Sequence, residues 1–242
     1  MLLTPVVFGP KHLVGTLAIL ILIVISLILA LKYKKNPKTT LKISASLLIV
    51  LELWKYMYVM RQSGSLPSYM FPLQLCSFSL YAMPIIAFGN GRISQFVKPF
   101  GYAIGLLSGL LVLALPTTVL GNADFWIPYE NDILPYISFL YHGNMIFFSL
   151  YLVFSKQYVP KIKDGIVAYG CLAVVAFVAG LVNLYLLTDF MFLRTGNGNP
   201  IQFILTNHGY VPYLLTMVIL GTILIYSVFF TSVILSKKKK TA

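Results

Sequence analysis

The segment 12–33 decides what solvent this chain needs: residues 17–25 within it are an unbroken run of Leu, Ile, Val and Ala, and a Lys cluster closes it. A helix needs about 20 mostly apolar residues to cross the hydrocarbon of a bilayer. Runs of that kind, bounded by charges, Pro or Gly, recur at 40–60, 71–88, 97–118, 134–154, 164–188 and 211–235. One or two soluble domains would fit into 242 residues, but a composition of 59% hydrophobic and 10% charged residues excludes them. The expected fold is all-α, a single domain over 1–242 built as a polytopic bundle of seven transmembrane helices. The first segment is too long, and too poorly matched to a cleavage site, for a removable signal peptide.

Eighteen Lys and Arg against six acidic residues give a formal charge of +12, which on a soluble surface would suggest nucleic acid. Sorted by loop, the charge has a different meaning. Lys32, Lys34, Lys35, Lys38, Lys42, Arg92, Lys98, Lys156, Lys161, Lys163 and the run 237–240 make fourteen on the side of the carboxyl tail. Lys11, Arg61 and Arg194 make three on the other, and Lys55 lies within a span. Basic loops resist translocation, so the tail is expected in the cytoplasm and the amino terminus outside, with Asp124, Glu130 and Asp132 in an outer loop. The tail's Lys run reads as a stop-transfer and headgroup anchor. The chain is expected in the cell membrane as a multi-pass protein, with no nucleic-acid partner.

Inside lipid an ionisable side chain is costly and is a functional candidate by default. Counted at 1.5 Å per residue from the outer helix ends, Cys76 lies roughly 8 Å deep, His142 roughly 12 Å, Lys55 roughly 10 Å and Glu52 roughly 15 Å. His12 and Asp189 fall at the outer ends of the first and sixth spans, so all six share one leaflet half, whichever way up the protein sits. Ser138, His142, Met145 and Ser149 share a helical face, as do Cys76, Ser79 and Met83, with Gln74, Ser77 and Tyr81 beside them. Such groups need partners and turn away from lipid, which predicts a cavity opening outward and lined by Cys76 and His142.

A His at the depth of a thiol can take its proton and create a thiolate nucleophile, although His142 equally suits a bundle histidine bridging two helices. Cys171 has no such neighbour and reads as a small apolar residue. Glu52 and Lys55, three apart, read as a neutralising pair, either of which can orient His142. His208 reads as a solvated turn residue. Two cysteines make no disulfide framework, three histidines without a carboxylate cluster give little support to a metal, and no cofactor is expected.

The string Phe71-Pro72-Leu73-Gln74-Leu75-Cys76-Ser77-Phe78-Ser79 resembles the "LPLHLC" segment of the YwaF-like bacterial integral membrane proteins, which are related to the eukaryotic transmembrane protein 164 family. Phe8 with Lys11-His12-Leu13, Glu52-Leu53-Trp54, Phe139-Leu140-Tyr141-His142-Gly143, and Asp189-Phe190-Met191-Phe192-Leu193 followed by Pro200 fit the same family in order. The resemblance implies a seven-helix membrane protein, and its eukaryotic members imply phospholipid acyl transfer through a Cys and a His, which fall on Cys76 and His142. Gln74 stands where the family pattern usually has His, and Asp189 where it usually has Asn. An imidazole two residues from the nucleophile is thereby replaced by an amide that still donates hydrogen bonds.

Two functions follow. In the first, Cys76 attacks a lipid ester or thioester with His142 as general base and acid, Gln74, Ser77 or Ser79 supply oxyanion donors, and the acyl group passes to a lysophospholipid or water. In the second, the chain is a non-enzymatic transporter, receptor or binding protein for a lipid or small amphiphile, with Lys55, Glu52 and Asp189 holding its charge. A role as an assembly partner in a larger membrane complex is a third reading, and the oligomeric state is open.

Overall fold

The computed structural model describes residues 10–33, 36–114, 133–196 and 198–241, with the side chains of 10–11 and 235–241 excepted. The end of the fourth expected span, 115–118, and Asp124, Glu130 and Asp132 lie outside the described residues. Among the described residues every regular element is helical. Six helices are long and apolar enough to cross a membrane. They are α1 (Pro10–Lys32), α2 (Pro37–Ser63), α4 (Arg92–Ala114), α5 (Leu134–Phe154), α6 (Asp164–Leu186) and α8 (Tyr210–Thr241); α3 (Ser79–Phe88) and α7 (Gln202–His208) are short.

The helix ends follow local chemistry. Asn36 caps α2, its side chain accepting from Lys38 N at 3.0 Å, and Pro37 occupies the first turn, where a missing N–H costs nothing. Gly64 closes the same helix in the left-handed region, φ 72°, with its N–H on the Met60 carbonyl. At the end of α6 the buried Asn183 amide does the closing. Its Oδ1 accepts from Phe190 N at 2.7 Å and from the Thr188 hydroxyl, and its Nδ2 donates to Phe190 O at 2.9 Å.

The expected third span, 71–88, is corrected by the structure. Only Ser79–Phe88 is α-helical; Leu75–Phe78 and Ser68–Met70 are 3-10 turns separated by extended chain. Pro72 is the cause. It restricts the residue before it to extended backbone, and Phe71 sits at φ −55°, ψ 141°. Gln74, also extended at ψ 157°, delays the helix further. The continuous helical piece 75–88 is therefore about 23 Å long, against about 30 Å of hydrocarbon.

α4 and α5 form the centre: α5 packs on α1, α2 and α4, and α4 also meets α3, α6 and α8. They approach closely because Gly105 and Gly109 of α4 face α5, while Gly101, one step earlier in the same four-residue repeat, faces Ala82 and Ile86 of α3; such small residues suit helix contact in lipid. A β-carbon at Gly105 would meet Ser149 Oγ at 2.4 Å, and one at Gly109 would meet Ile146 Cγ1 at 2.7 Å and the His142 carbonyl at 3.0 Å. α2 is tied to α5 by a reciprocal pair. Ser44 Oγ donates to Asn144 Oδ1 at 2.6 Å, and Asn144 Nδ2 returns a bond to Ser44 O at 2.9 Å. At the Lys-rich ends, Lys38 Nζ donates to Gly89 O at 3.2 Å and to the Asn90 side chain, so α2 starts beside the end of α3. Lys98 donates to Gln157 O at 2.8 Å.

Candidate functional site

The polar residues singled out above are divided by the structure into one cluster and several separate fastenings. The cluster forms where α2, α5 and the 3-10 turn Leu75–Phe78 meet. Glu52, 3% exposed, accepts from Lys55 Nζ at 2.6 Å one turn along α2. The Lys55 side chain is 26% exposed, so the pair has a buried acid and a partly exposed base. Both act electrostatically on the Cys76 thiol, and Lys55 acts on His142 as well. Tyr56 donates to Met70 O at 3.2 Å, holding the irregular chain before Pro72 against α2.

His142 is buried, and its Nδ1 lies 2.8 Å from the Ser138 carbonyl one turn earlier. A carbonyl only accepts, so Nδ1 carries the proton and the Nε2 lone pair is left free. Nε2 is buried and makes no hydrogen bond. The thiol of Cys76 and the imidazole are thus not hydrogen-bonded to one another. Chemistry that joins them needs substrate binding to draw them together, a tightening that apo sites commonly require. Tyr141 stands beside His142. Its ring packs edge-on to the imidazole at 5.3 Å, and its buried hydroxyl has no hydrogen-bond partner. Sequence reasoning gave Tyr141 no role of its own, although it is the chain neighbour of His142. Ser79 Oγ is likewise buried without a partner, and Ser77 is buried beside Cys76.

The other sequence-selected residues are engaged elsewhere. Gln74 Oε1 accepts from Met191 N at 2.9 Å, clamping the chain before Cys76 to the 3-10 turn Phe190–Phe192, where Met191 has φ 56°. Asp189 organises that turn's exit, with Oδ1 accepting from Arg194 N and Thr195 N at 2.8 and 3.0 Å and Oδ2 from the Thr195 hydroxyl at 2.6 Å. His12, near the start of α1, is 1% exposed and bonds through Nε2 to the Leu113 carbonyl at 2.8 Å, satisfying a late carbonyl of α4. His208 is exposed at the end of α7.

An apolar groove of about 540 Å³ lies between α3, α4 and α6, lined by residues that include Phe78, Tyr81, Phe96, Gly170, Cys171 and Val174. Neither Cys76 nor His142 lines it. Tyr81 connects the two regions, facing the groove while lying in the field of Glu52. A second cavity of about 220 Å³, between α1, α2 and α5, holds Ser44 and Asn144 in its wall.

Long apolar helices around a core whose few ionisable groups pair or cluster define a multi-pass, all-helical integral membrane protein. Residues 7–230 match the TMEM164 family, and the chain belongs to that family. No curated protein and no solved structure matches it.

Proposed function

We propose that this protein is a Cys/His-dependent lipid acyltransferase or acyl hydrolase of the cell membrane, from the YwaF-like bacterial branch of its family. In this reading the chain crosses the membrane seven times, with the short α3 as the third crossing, the amino terminus outside and the tail in the cytoplasm. The fourteen-to-three distribution of basic residues supports that orientation. The observation that carries the chemistry is the His142 ring, with its proton fixed on the Ser138 side and an unused Nε2 lone pair.

Nε2 takes the Cys76 thiol proton as Sγ bonds to the carbonyl carbon of a lipid ester or thioester. The tetrahedral centre collapses, the bond to the leaving oxygen or sulfur breaks, and His142 returns the proton to that atom. A lysophospholipid hydroxyl or water then attacks the acyl-cysteine and gives its proton to Nε2. The C–S bond breaks, and the thiolate recovers the proton. Tyr141 and Ser79 have buried hydroxyls free to donate to the oxyanion; Gln74, held through its Oε1 on Met191 N, has only its Nε2 amide to offer.

The test is intact-mass analysis of purified protein after incubation with phosphatidylcholine or a fatty acyl thioester. An acyl adduct on Cys76 that is lost in Cys76→Ala and strongly reduced in His142→Ala is expected; no adduct in the unaltered protein overturns the reading.

One observation favours a second, non-enzymatic reading as a lipid or amphiphile binder or transporter. The thiol and imidazole are not hydrogen-bonded, while Glu52 and Lys55 present both signs of charge that a zwitterionic headgroup would meet. Under it, Cys76→Ser keeps lipid binding and Lys55→Met loses it.

A further inference from the structure

The groove between α3, α4 and α6 is separate from the Cys76–His142 cluster and plays no part in the chemistry above. Its lining is hydrocarbon apart from the Tyr81 hydroxyl and the Cys171 thiol. It opens sideways, because Tyr81, Phe96 and Val174 on its rim are 46%, 59% and 65% exposed. Its walls belong to helices of membrane-spanning character, so whatever enters it comes from the hydrocarbon phase. One end, at Leu73 and Phe78, adjoins the turn that carries Cys76, and the other reaches Phe96 and Val97 near the start of α4.

We infer that this groove binds one acyl chain of a membrane lipid, laid along α3 with the lipid's polar end beside Tyr81 and the Cys76 turn. The inference deepens the acyl-transfer reading and takes its choice of lipid class from it. Size argues for a single chain. A helix with its side chains is 10–12 Å across, so one turn of it already occupies roughly 500 Å³, about the whole groove. A helix from a second copy would therefore seat only a turn, whereas an extended hydrocarbon fills the slot lengthwise. Continuity argues for the same occupant: Tyr81 is both in the groove wall and in the field of Glu52, so a chain in the groove delivers its headgroup end to the ionisable cluster.

Gly170 supplies a test that leaves the packing intact, since a β-carbon there meets nothing within 4 Å. Gly180, on the same helix, is equally open but does not line the groove, and serves as the matched control. The full chain is reconstituted in phosphatidylcholine nanodiscs containing a trace of phosphatidylcholine with a diazirine in one acyl chain. It is irradiated, and adducts are mapped by peptide mass spectrometry. Adducts concentrated on groove residues such as Tyr81, Phe96 and Val174 are expected, with a several-fold loss in Gly170→Trp and none in Gly180→Trp. Cys76→Ala retains groove labelling while losing any acyl adduct, so failure of the chemistry and failure of the groove are told apart. Adducts spread evenly over α1, α2 and α8 overturn the inference, as does labelling that Gly170→Trp leaves unchanged. A cross-link between two copies in place of the lipid adduct overturns it in favour of self-association.

Discussion

Glu52 and Lys55 form an ion pair at 2.6 Å in which the carboxylate is almost wholly buried and the ammonium is a quarter exposed. Removing the base strands a charge in a medium of low polarity, whereas removing both does not. Lys55→Met is expected to lower stability by about 1–3 kcal/mol, less than for a fully enclosed pair because Lys55 is partly solvated. The double variant Glu52→Gln/Lys55→Met is expected to recover most of that loss. Thermal unfolding in detergent checks it, and equal destabilisation of the single and double variants would remove the pair from the account.

Tyr141 carries a buried hydroxyl without a partner, so Tyr141→Phe deletes a group that contributes nothing to stability. The expected outcome is an unchanged or raised melting temperature together with acyl-cysteine formation slowed about 100- to 1,000-fold, the loss of one oxyanion donor. A phenylalanine variant that transfers at the unaltered rate would exclude the hydroxyl from the reaction.

Gln74 is expected to act as a structural clamp. Gln74→Ala leaves Met191 N without its acceptor and costs about 1–2 kcal/mol, because the amide is part-buried. The rate of Cys76 alkylation in the folded protein is expected to stay the same, and a large change in it would return Gln74 to the chemistry.

The glycines of α4 and α6 predict opposite outcomes for one substitution. Gly109→Ala drives a β-carbon against Ile146 and the His142 carbonyl and is expected to cost about 1–3 kcal/mol. Gly170→Ala meets open space and is expected to gain up to about 1 kcal/mol from helix propensity. Paired melting curves decide this.

Outside the spans, Tyr158 donates to Asp164 Oδ2 at 2.6 Å at the start of α6. Burial, then the hydrogen bond to Asp164 and its charge, push the Tyr158 hydroxyl well above its ordinary value. The protonated form is the one the fold stabilises, so this contribution is complete below the unfolded value of about 10 and fades as pH rises beyond it. The Asp164 end of α6 is expected to loosen above that pH, measured by amide exchange, and Tyr158→Phe is expected to flatten the dependence.

Periodicity and hydropathy made the solvent and six of the spans legible, with ends displaced by only a few residues, because apolar runs bounded by charge encode both. The third span was drawn too long although Pro72 was in plain view. Its effect on Phe71 is local and readable, but a run judged by its length and apolar content passes over it. The pairing of Glu52 with Lys55 was readable because its partners are three residues apart. Asn144 with Ser44, and Gln74 with Met191, were not, because each needs a partner roughly 100 residues away that only the folded chain supplies. The bond of His12, expected at the outer end of its span, to the Leu113 carbonyl was hidden for the same reason. The spacing of Gly101, Gly105 and Gly109 was present in the sequence, but not that Gly105 and Gly109 face α5 while Gly101 faces α3.

The early halt of α3 has a consequence for traffic. Taken as the third of the seven proposed crossings, the helical piece 75–88 falls about 7 Å short of the hydrocarbon and puts backbone around Pro72 and Gln74 at a depth where lipid cannot satisfy it, so that notch would be wet or capped by protein. Under the proposed acyl transfer, a polar acceptor would then descend to the Cys76 turn from the aqueous side while the hydrocarbon reactant slid in along the bilayer plane. The two reactants would arrive by separate doors, and neither would have to cross the other's solvent.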